Sequence, residues 1–221
     1  IPRVVVHAAT VLSDDFIGTT IDTTKWTEAD PGGIGGTVGN VRQNGALTIT
    51  GTGAWGVNIL STANTYSRTA GNIALDADVT IANCAASASV PGIGYGDLGV
   101  VTGGGQSYTV FYSGGKLYLS RQNANANEES VMTSFTCTNN TPFHVKLVVL
   151  QNQGAALYIN GSGTAAATVT GGTFTNKKFF LQATVGTTTI DTVVITDTFA
   201  DAPTSLVAVP SSQQVSLTWS A

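Results

Sequence analysis

The sequence predicts an all-β fold built from two antiparallel sheets packed face to face. Amphipathic helical periodicity is missing, whereas runs that alternate apolar and polar residues recur along the chain at a spacing of roughly 8–15 residues. Short strands at that spacing are typical of a β-sandwich. The length of 221 residues suits one large domain of this kind.

The clearest strand pair is a hairpin in the middle of the chain. Residues 107–112 alternate, Gly114 and Gly115 provide a turn, and residues 116–121 alternate again. The turn residues have no steric barrier to the positive φ angles that tight hairpins need. Further alternating runs, which we also predict to be strands, lie at 46–50, 143–150, 156–160, 179–183 and 190–195.

The order of several motifs carries a family resemblance. Asp14-Asp15-Phe16 comes first, a run ending in Trp26 follows at 21–26, and an Asn-Gly turn leads into the run at 44–49. Later, Phe143 opens a strand at 143–147 that is followed by an aliphatic-aromatic-Asn-Gly run at 157–161. Between about residues 13 and 200 the chain resembles a concanavalin A-like (laminin-G-like) domain.

That resemblance implies a two-sheet antiparallel jelly-roll sandwich. It also implies that Trp26 is buried and that the strand at 190–195 returns beside the first strand of the domain. Domains of this family mostly bind carbohydrate or cleave it. The resemblance therefore predicts a polysaccharide or other glycan as the partner.

The two ends of the chain differ from the jelly-roll region. Residues 1–12, with the run Val4–Val6, are predicted to be an N-terminal extension or a strand donated to a neighbouring molecule. Residues 201–221 resemble the first two strands of a fibronectin type III domain, with Trp219 as its core tryptophan. Such a domain needs about 90–100 residues, so we predict a truncated start within a longer protein.

Composition narrows the function classes. Only 10% of the residues are charged, while threonine occupies 34 positions and glycine 26, which indicates a surface built from hydroxyl groups. This pattern is typical of extracellular bacterial domains, and we expect a secreted or cell-surface-attached protein. The net charge of −4 and the absence of a Lys/Arg cluster exclude nucleic acid as a partner. No apolar run approaches the ~18 residues that a membrane-spanning helix needs.

The sequence lacks the catalytic motif of jelly-roll glucanases, which is Glu-x-Asp-x-x-Glu on one strand. The nearest match is Asp76-Ala77-Asp78, which has no following glutamate and is interpreted as the polar face of a strand. Glu128 and Glu129 are interpreted as solvated residues of a polar loop, and His144 as a strand-surface residue. We therefore predict that the domain is not an enzyme.

Carbohydrate recognition needs an aromatic ring for the C–H face of a pyranose and planar polar groups for its hydroxyls. Trp55 in a glycine-rich turn can be an exposed platform or a plug over the end of the sandwich. The candidate carbohydrate-binding residues are Trp55, Tyr95, Tyr112, Tyr118, Arg121 and Gln122.

Two further features concern stability. Asp15 and Asp191 could hold a structural Ca²⁺ if the first and last strands pair, although acids at such positions also cap turns. Cys84 and Cys137 could form one disulfide or remain two small buried residues.

These observations favour a non-catalytic, lectin-like carbohydrate-binding module of a secreted bacterial multidomain protein. One alternative is a structural or adhesive domain of a surface filament, which associates with itself through its N-terminal strand. The other is a polysaccharide hydrolase or lyase whose carboxylate pair is not recognisable in the sequence.

Overall fold

The computed structural model of the chain describes residues 9–29, 40–52, 58–69, 71–85, 92–97, 105–123, 126–199, 207–211 and 214–218. Within them it contains eighteen β-strands: β1 (Ala9–Asp14), β2 (Trp26–Ala29), β3 (Val41–Gln43), β4 (Leu47–Thr52), β5 (Ile59–Thr62), β6 (Tyr66–Ser67), β7 (Gly71–Ile81), β8 (Gly92–Gly96), β9 (Gln106–Ser113), β10 (Lys116–Asn123), β11 (Ala126–Thr136), β12 (Phe143–Val149), β13 (Gly154–Ile159), β14 (Ala167–Thr170), β15 (Asn176–Gln182), β16 (Val185–Phe199), β17 (Val207–Ser211) and β18 (Gln214–Thr218). In these segments there is no helix of the length and hydropathy that would cross a membrane.

The strands form two large antiparallel sheets, and the predicted two-sheet jelly-roll sandwich is confirmed. The first sheet has the order β14-β13-β12-β7-β16-β4-β3, with β1 paired to β16. The second sheet has the order β11-β10-β9-β8-β15-β5-β2, with β6 paired to β15. The predicted return of the last strand beside the first is present as the pairing of β16 with β1.

The predicted boundary of the N-terminal extension changes in one respect. β1 begins at Ala9 and pairs with β16 of the same chain, so residues 9–12 are part of the sandwich. The run Val4–Val6 lies outside the described residues. At the other end, β17 and β18 form a separate two-stranded sheet, and Trp219 lies outside the described residues. The fibronectin type III assignment of residues 201–221 stays a prediction.

The core follows from the period of two in each strand. In β7, Leu75, Ala77 and Val79 are buried while Asp76 and Asp78 on the other face stay partly exposed. β16 lies between β7 and β4 and contributes the fully buried Ile190 to the same core. Removing such apolar side chains from water, at about 25 cal/mol per Å², is the main source of folding free energy.

The motif at the start of the chain closes one part of this core. The buried carboxylate of Asp14 accepts hydrogen bonds from the Phe16 backbone N–H at 2.9 Å and from Trp26 Nε1 at 2.7 Å. The rings of Phe16 and Trp26 lie 5.6 Å apart, and both are buried. Trp26 is therefore a core residue, as the sequence predicts, and Asp14 holds its indole in place.

A buried arginine joins the two sheets. Arg68 is 1% exposed, and its guanidinium donates to the carbonyl oxygens of Leu150 at 3.1 Å and Gly172 at 2.6 Å, and to the hydroxyl of Tyr108 at 3.2 Å. Leu150 follows β12 of the first sheet, whereas Tyr108 belongs to β9 of the second. The ring of Phe174 lies 5.5 Å from the guanidinium carbon. We call Arg68 and Tyr108, with the groups they bond, the Arg68–Tyr108 clasp.

A disulfide makes a second connection between the sheets. Cys84 lies just after β7 of the first sheet and Cys137 just after β11 of the second, and their sulfurs are bonded with a Cα–Cα distance of 5.7 Å. In the chain-entropy account, closing a loop of 53 residues in the unfolded chain contributes about 3–4 kcal/mol to stability.

Replacing Arg68 by methionine should lower the free energy of unfolding by about 3 kcal/mol or more. The change leaves the partly buried acceptors at Leu150 and Gly172 without a donor, at up to about 1–3 kcal/mol each, and also removes the bond to the buried Tyr108 hydroxyl. Urea titration followed by tryptophan fluorescence measures the loss. The matched control Arg42→Met removes an exposed arginine and should change stability by less than about 0.5 kcal/mol. Similar losses in the two variants would contradict a structural role for the clasp.

Candidate functional site

Two of the tyrosines predicted to contact a ligand are in the core instead. Tyr95 and Tyr112 are both 0% exposed, so the prediction that they bind carbohydrate is wrong. The Tyr95 hydroxyl lies 2.7 Å from the carbonyl oxygen of Tyr66, and the Tyr112 hydroxyl donates to the carbonyl of Cys84. Tyr95 lies on a strand and not in a loop: the glycines around it form the outward face of β8, which turns the tyrosine inwards.

The remaining predicted site residues have three different locations. Trp55 lies outside the described residues. Tyr118 and Gln122 lie on the outer face of the second sheet, as their spacing of four residues in β10 requires. Arg121, one position from Gln122, points to the other side, where it pairs with Glu128. The role of Tyr118 and Gln122 in binding stays a prediction.

The outer face of the second sheet carries an aromatic platform formed by Phe111, Tyr118 and Met132. Phe111 and Tyr118 are cross-strand partners, and their rings are parallel to within 5° at a centroid distance of 5.0 Å. The Tyr118 hydroxyl lies 3.3 Å from the sulfur of Met132, which is the partner of Tyr118 in β11 and is 57% exposed. The pairing register therefore places an apolar surface across three strands.

A polar row lies beside the platform on the same face. Its members are neighbours because Ser120 is opposite Thr109, and Gln122 is opposite Ser107. Ser107 Oγ lies 3.0 Å from Thr109 Oγ1, and Ser120 Oγ donates to Asn127 Oδ1 at 3.0 Å. Gln122 Nε2 donates to the same Asn127 oxygen at 3.1 Å. The polar row consists of Ser107, Thr109, Ser120, Gln122 and Asn127.

Glycines extend this face across the next strand. In β8, Gly94 lies opposite Thr109 of the polar row, and on its other side opposite Phe180 of β15. A Cβ atom at Gly94 would overlap the ring of Phe180, and one at Gly92 would overlap the side chain of Gln182. Phe180 and Gln182 therefore lie over a strand that has no side chains on this face.

Two carboxylates meet around Arg121, on the side of the second sheet opposite the polar row, where the β10–β11 pairing is irregular between Arg121 and Gln122. Glu128 forms an ion pair with Arg121, and Glu129 Oε2 lies 3.9 Å from Arg121 Nε. Glu129 also accepts a hydrogen bond from the Thr170 backbone N–H at 2.9 Å. The side chains of Glu128 and Glu129 are 34% and 30% exposed. They belong to β11, so the interpretation of both as solvated loop residues is wrong.

The outer face of the first sheet carries a second cluster, which we call the Asp–His–Lys cluster. His144 lies opposite Asp78, and Lys146 lies opposite Asp76. His144 Nδ1 is 2.9 Å from Asp78 Oδ1, and its Nε2 is 3.2 Å from Asp76 Oδ1. Lys146 Nζ is 3.2 Å from Asp76 Oδ2. The prediction that these residues form a polar strand surface is confirmed, although the sequence did not indicate that His144 bridges the two acids.

The predicted calcium ligands Asp15 and Asp191 lie near the junction of the first and last strands. Asp15 follows β1 and accepts a hydrogen bond from the Ile17 backbone N–H at 3.2 Å. Asp191 lies where the pairing of β16 with β7 is irregular. In the described part of the chain, no group of three His, Cys, Asp or Glu residues is arranged to hold a metal ion. Calcium binding through Asp15 and Asp191 stays a prediction.

Comparison with known proteins shows the fold. No protein-family profile matches the chain, and no curated protein matches its sequence. Among solved structures, the catalytic domain of an endo-1,3-β-glucanase (laminarinase) from Thermotoga petrophila has a TM-score of 0.59 at 12% identity, and the match covers 88% of this chain and 99% of that one. β-Agarase A from Zobellia galactanivorans has a TM-score of 0.55 at 14% identity, and the match covers 86% of this chain and 92% of that one. A glycoside hydrolase family protein from Mycobacterium thermorestibile has a TM-score of 0.57 at 11% identity, and the match covers 84% of this chain and 99% of that one.

These matches correct one prediction. The laminarinase, the agarase and the mycobacterial protein are glycoside hydrolases, which contradicts the prediction that the domain is not an enzyme. Absence of the Glu-x-Asp-x-x-Glu motif does not decide the question, because carboxylates at other positions can also form a pair in space. At 11–14% identity the likeness itself establishes the concanavalin A-like sandwich fold.

Burial of Tyr95 should make the fold sensitive to alkaline pH. Burial raises the pKa of Tyr95 to about 12 from its ordinary value of 10. Above pH 10 the unfolded chain loses this proton while the folded chain keeps it, so stability should fall between pH 10 and pH 12. Tyr95→Phe should make this decline shallower in urea titrations at a series of pH values. The control Tyr118→Phe, which changes a surface tyrosine, should leave the slope unchanged, and equal slopes in all three proteins would contradict the argument.

Proposed function

We propose that this chain is a carbohydrate-active domain of the glycoside hydrolase type, which holds a polysaccharide on the outer face of its second sheet. The observation that carries the proposal is the stacked pair of Phe111 and Tyr118 on the outer face, beside the accessible amides of Gln122 and Asn127. The fold of the laminarinase and the agarase supports it, because their names identify polysaccharides as substrates.

The chemistry of this face suits a neutral sugar. One face of a pyranose ring is lined by C–H groups and packs on an aromatic platform, which here extends from Phe111 to the exposed Met132. The sugar hydroxyls need partners that both donate and accept. The amides of the partly exposed Gln122 and the exposed Asn127 can do both, whereas Ser107, Thr109 and Ser120 are buried and hold these amides from beneath.

Hydrogen bonds within the polar row keep these groups in place before a ligand arrives. Asn127 Oδ1 accepts from both Ser120 and Gln122, so the three side chains restrict one another. Binding then requires less ordering of side chains, which would otherwise cost about 0.5–1.5 kcal/mol for each one immobilised. A preorganised row of this kind favours a ligand with regularly spaced hydroxyls.

Glu128 and Glu129 are the proposed catalytic carboxylates. Hydrolysis of a glycosidic bond uses one carboxyl group as the general acid and a second as the base or nucleophile, about 5–10 Å apart. Both glutamates contact the guanidinium of Arg121, so their carboxylates are neighbours, and both keep partial exposure. They follow Asn127 in the edge strand β11 but lie on the Arg121 side of the sheet, so a chain bound along the polar row would reach them by passing over the edge of the sheet. A β-bulge beside them is a common means of redirecting a side chain at an active site.

The proposal includes a location outside the cell. The Cys84–Cys137 disulfide supports it, since such bonds persist in oxidising compartments. A polysaccharide too large to enter a cell is then accessible to the domain. The hydroxyl-rich surface with 34 threonines is compatible with the same environment.

Tyr118→Ala should weaken binding of laminarin or agaro-oligosaccharides by at least ~10-fold, which corresponds to about 1.4 kcal/mol of binding free energy. The alanine removes one of the two stacked rings of the aromatic platform and leaves the core residues unchanged. Isothermal titration calorimetry measures the change. The control Val11→Ala, at an exposed position of β1, should bind as the unaltered protein does. Unchanged affinity after Tyr118→Ala would rule out the platform as the binding surface.

Glu128→Gln and Glu129→Gln should each reduce the release of reducing ends from the polysaccharide that binds, by about 10²–10⁴-fold, which is the usual contribution of a general acid or base. Glutamine keeps the size of the side chain but cannot transfer the proton. The affinity for substrate should change less than threefold, and Asp22→Asn at an exposed turn should retain full activity. Undiminished release by both variants would overturn the assignment of this pair.

A further inference from the structure

We propose that the outer face of the first sheet holds a second saccharide-binding site, formed by Tyr158 and the Asp–His–Lys cluster. The inference rests on the proposed function, because it assigns a second contact with the same class of ligand. It concerns a different surface, however. The polar row and the aromatic platform lie on the second sheet, whereas β7, β12 and β13 belong to the first.

A depression of about 430 Å³ marks the site. It is lined by the side chains of Asp76, His144, Lys146, Val148 and Tyr158, together with Gly161 and Ser162 of the turn after β13. Its volume lies in the range of ordinary small-ligand pockets, which is about 300–1,000 Å³. Space for one or two sugar units is therefore present.

The turn after β13 keeps the depression open. Asn160 and Gly161 both have positive φ angles, at 52° and 69°, which gives the chain a tight reversal beside the sheet. No atom lies within 4 Å of the position that a Cβ would occupy at Gly161, so this residue borders open space. The side-chain oxygen of Asn160 accepts the His144 backbone N–H at 3.0 Å and ties the turn to β12.

The polar groups of the site are fixed before a ligand binds. The imidazole of His144 is held at both nitrogens, by Asp78 at 2.9 Å and by Asp76 at 3.2 Å. Asp76 is held in turn by Lys146. The His144–Asp78 and Lys146–Asp76 contacts join direct register partners of β12 and β7, and the His144–Asp76 contact is diagonal, so the pairing of the two strands positions the cluster.

Charge and shape indicate a neutral sugar unit. Two carboxylates face one ammonium group and one imidazole, which disfavours an anionic ligand such as a uronate or a sulfate ester. Asp76 offers acceptors for sugar hydroxyls and Lys146 offers donors, and both are partly exposed. Tyr158 lies opposite Lys146 in the register of β12 and β13, and its ring provides the apolar flank.

Two sites on opposite faces would give the domain the capacity to hold two glycan chains at once. Packed sheets are about 10 Å apart, so a chain on one outer face does not block the other. A domain with two such sites cross-links a polysaccharide, whereas a domain with one site only binds it.

The test uses the full chain with laminarihexaose or agarohexaose, whichever shows binding, and counts sites by calorimetry. The unaltered protein should show two sites per chain. Tyr158→Ala should weaken the site on the first sheet about tenfold or more and leave the site on the second sheet intact. Tyr118→Ala should leave only the site on the first sheet. Asp76→Asn, which keeps the size of the side chain, is the second variant if Tyr158→Ala does not fold. Turbidity of a laminarin or agarose solution should rise with the unaltered protein and not with either variant.

The outcomes separate this inference from the proposed function. One site per chain that Tyr118→Ala removes and Tyr158→Ala leaves intact would overturn the second site and preserve the first. One site that only Tyr158→Ala removes would overturn the assignment of the ligand to the second sheet. Loss of turbidity in both single variants, with retained binding in each, is the result that supports two independent sites.

Discussion

The Arg68–Tyr108 clasp is the contact on which the arrangement of the two sheets depends. A guanidinium buried at 1% exposure is tolerated only when hydrogen bonds replace its water, and here two carbonyl oxygens and a phenol do so. The Tyr108 hydroxyl also accepts the Gly154 backbone N–H at 2.8 Å. Through these bonds β9 of the second sheet is fixed to the ends of β12 and β13 of the first.

The clasp also sets the position of the proposed glycan-binding face. Tyr108 lies between Ser107 and Thr109 in β9, and in a strand its inward direction forces both neighbours outwards. Ser107 and Thr109 are members of the polar row, and Phe111 of the platform follows on the same face. An interaction in the interior thereby determines which ring faces a ligand outside and which hydroxyls lie beneath the exposed amides.

The alternation of apolar and polar residues in the sequence is sufficient to predict the two-sheet fold and the position of part of the site. The hairpin at Gly114 and Gly115 places Tyr118 and Gln122 on one face, and this follows from the period of two alone. The alternating glycines of β8 resemble a loop, and the sequence therefore predicts an exposed Tyr95. In the structure this segment is a strand with glycine on one face, which directs Tyr95 to the other.

What the sequence could not provide is the register between strands. That His144 meets Asp78, and that Glu128 and Glu129 both meet Arg121, depends on which strands are neighbours and on an irregularity in one pairing. Residues 66 positions apart become partners only when β12 pairs with β7. The sequence therefore leaves a hydrolase as an alternative without indicating which carboxylates would pair.

The most direct test of the account is a map of where a neutral oligosaccharide contacts the folded domain. We would titrate isotope-labelled protein with laminarihexaose and agarohexaose and follow backbone amide shifts by NMR. The account predicts concentration-dependent shifts in β9 and β10 around Thr109, Phe111 and Tyr118, continuing towards Glu128. Shifts confined to other parts of the sandwich, with β9 and β10 unaffected, would contradict the central claim that the outer face of the second sheet holds the glycan.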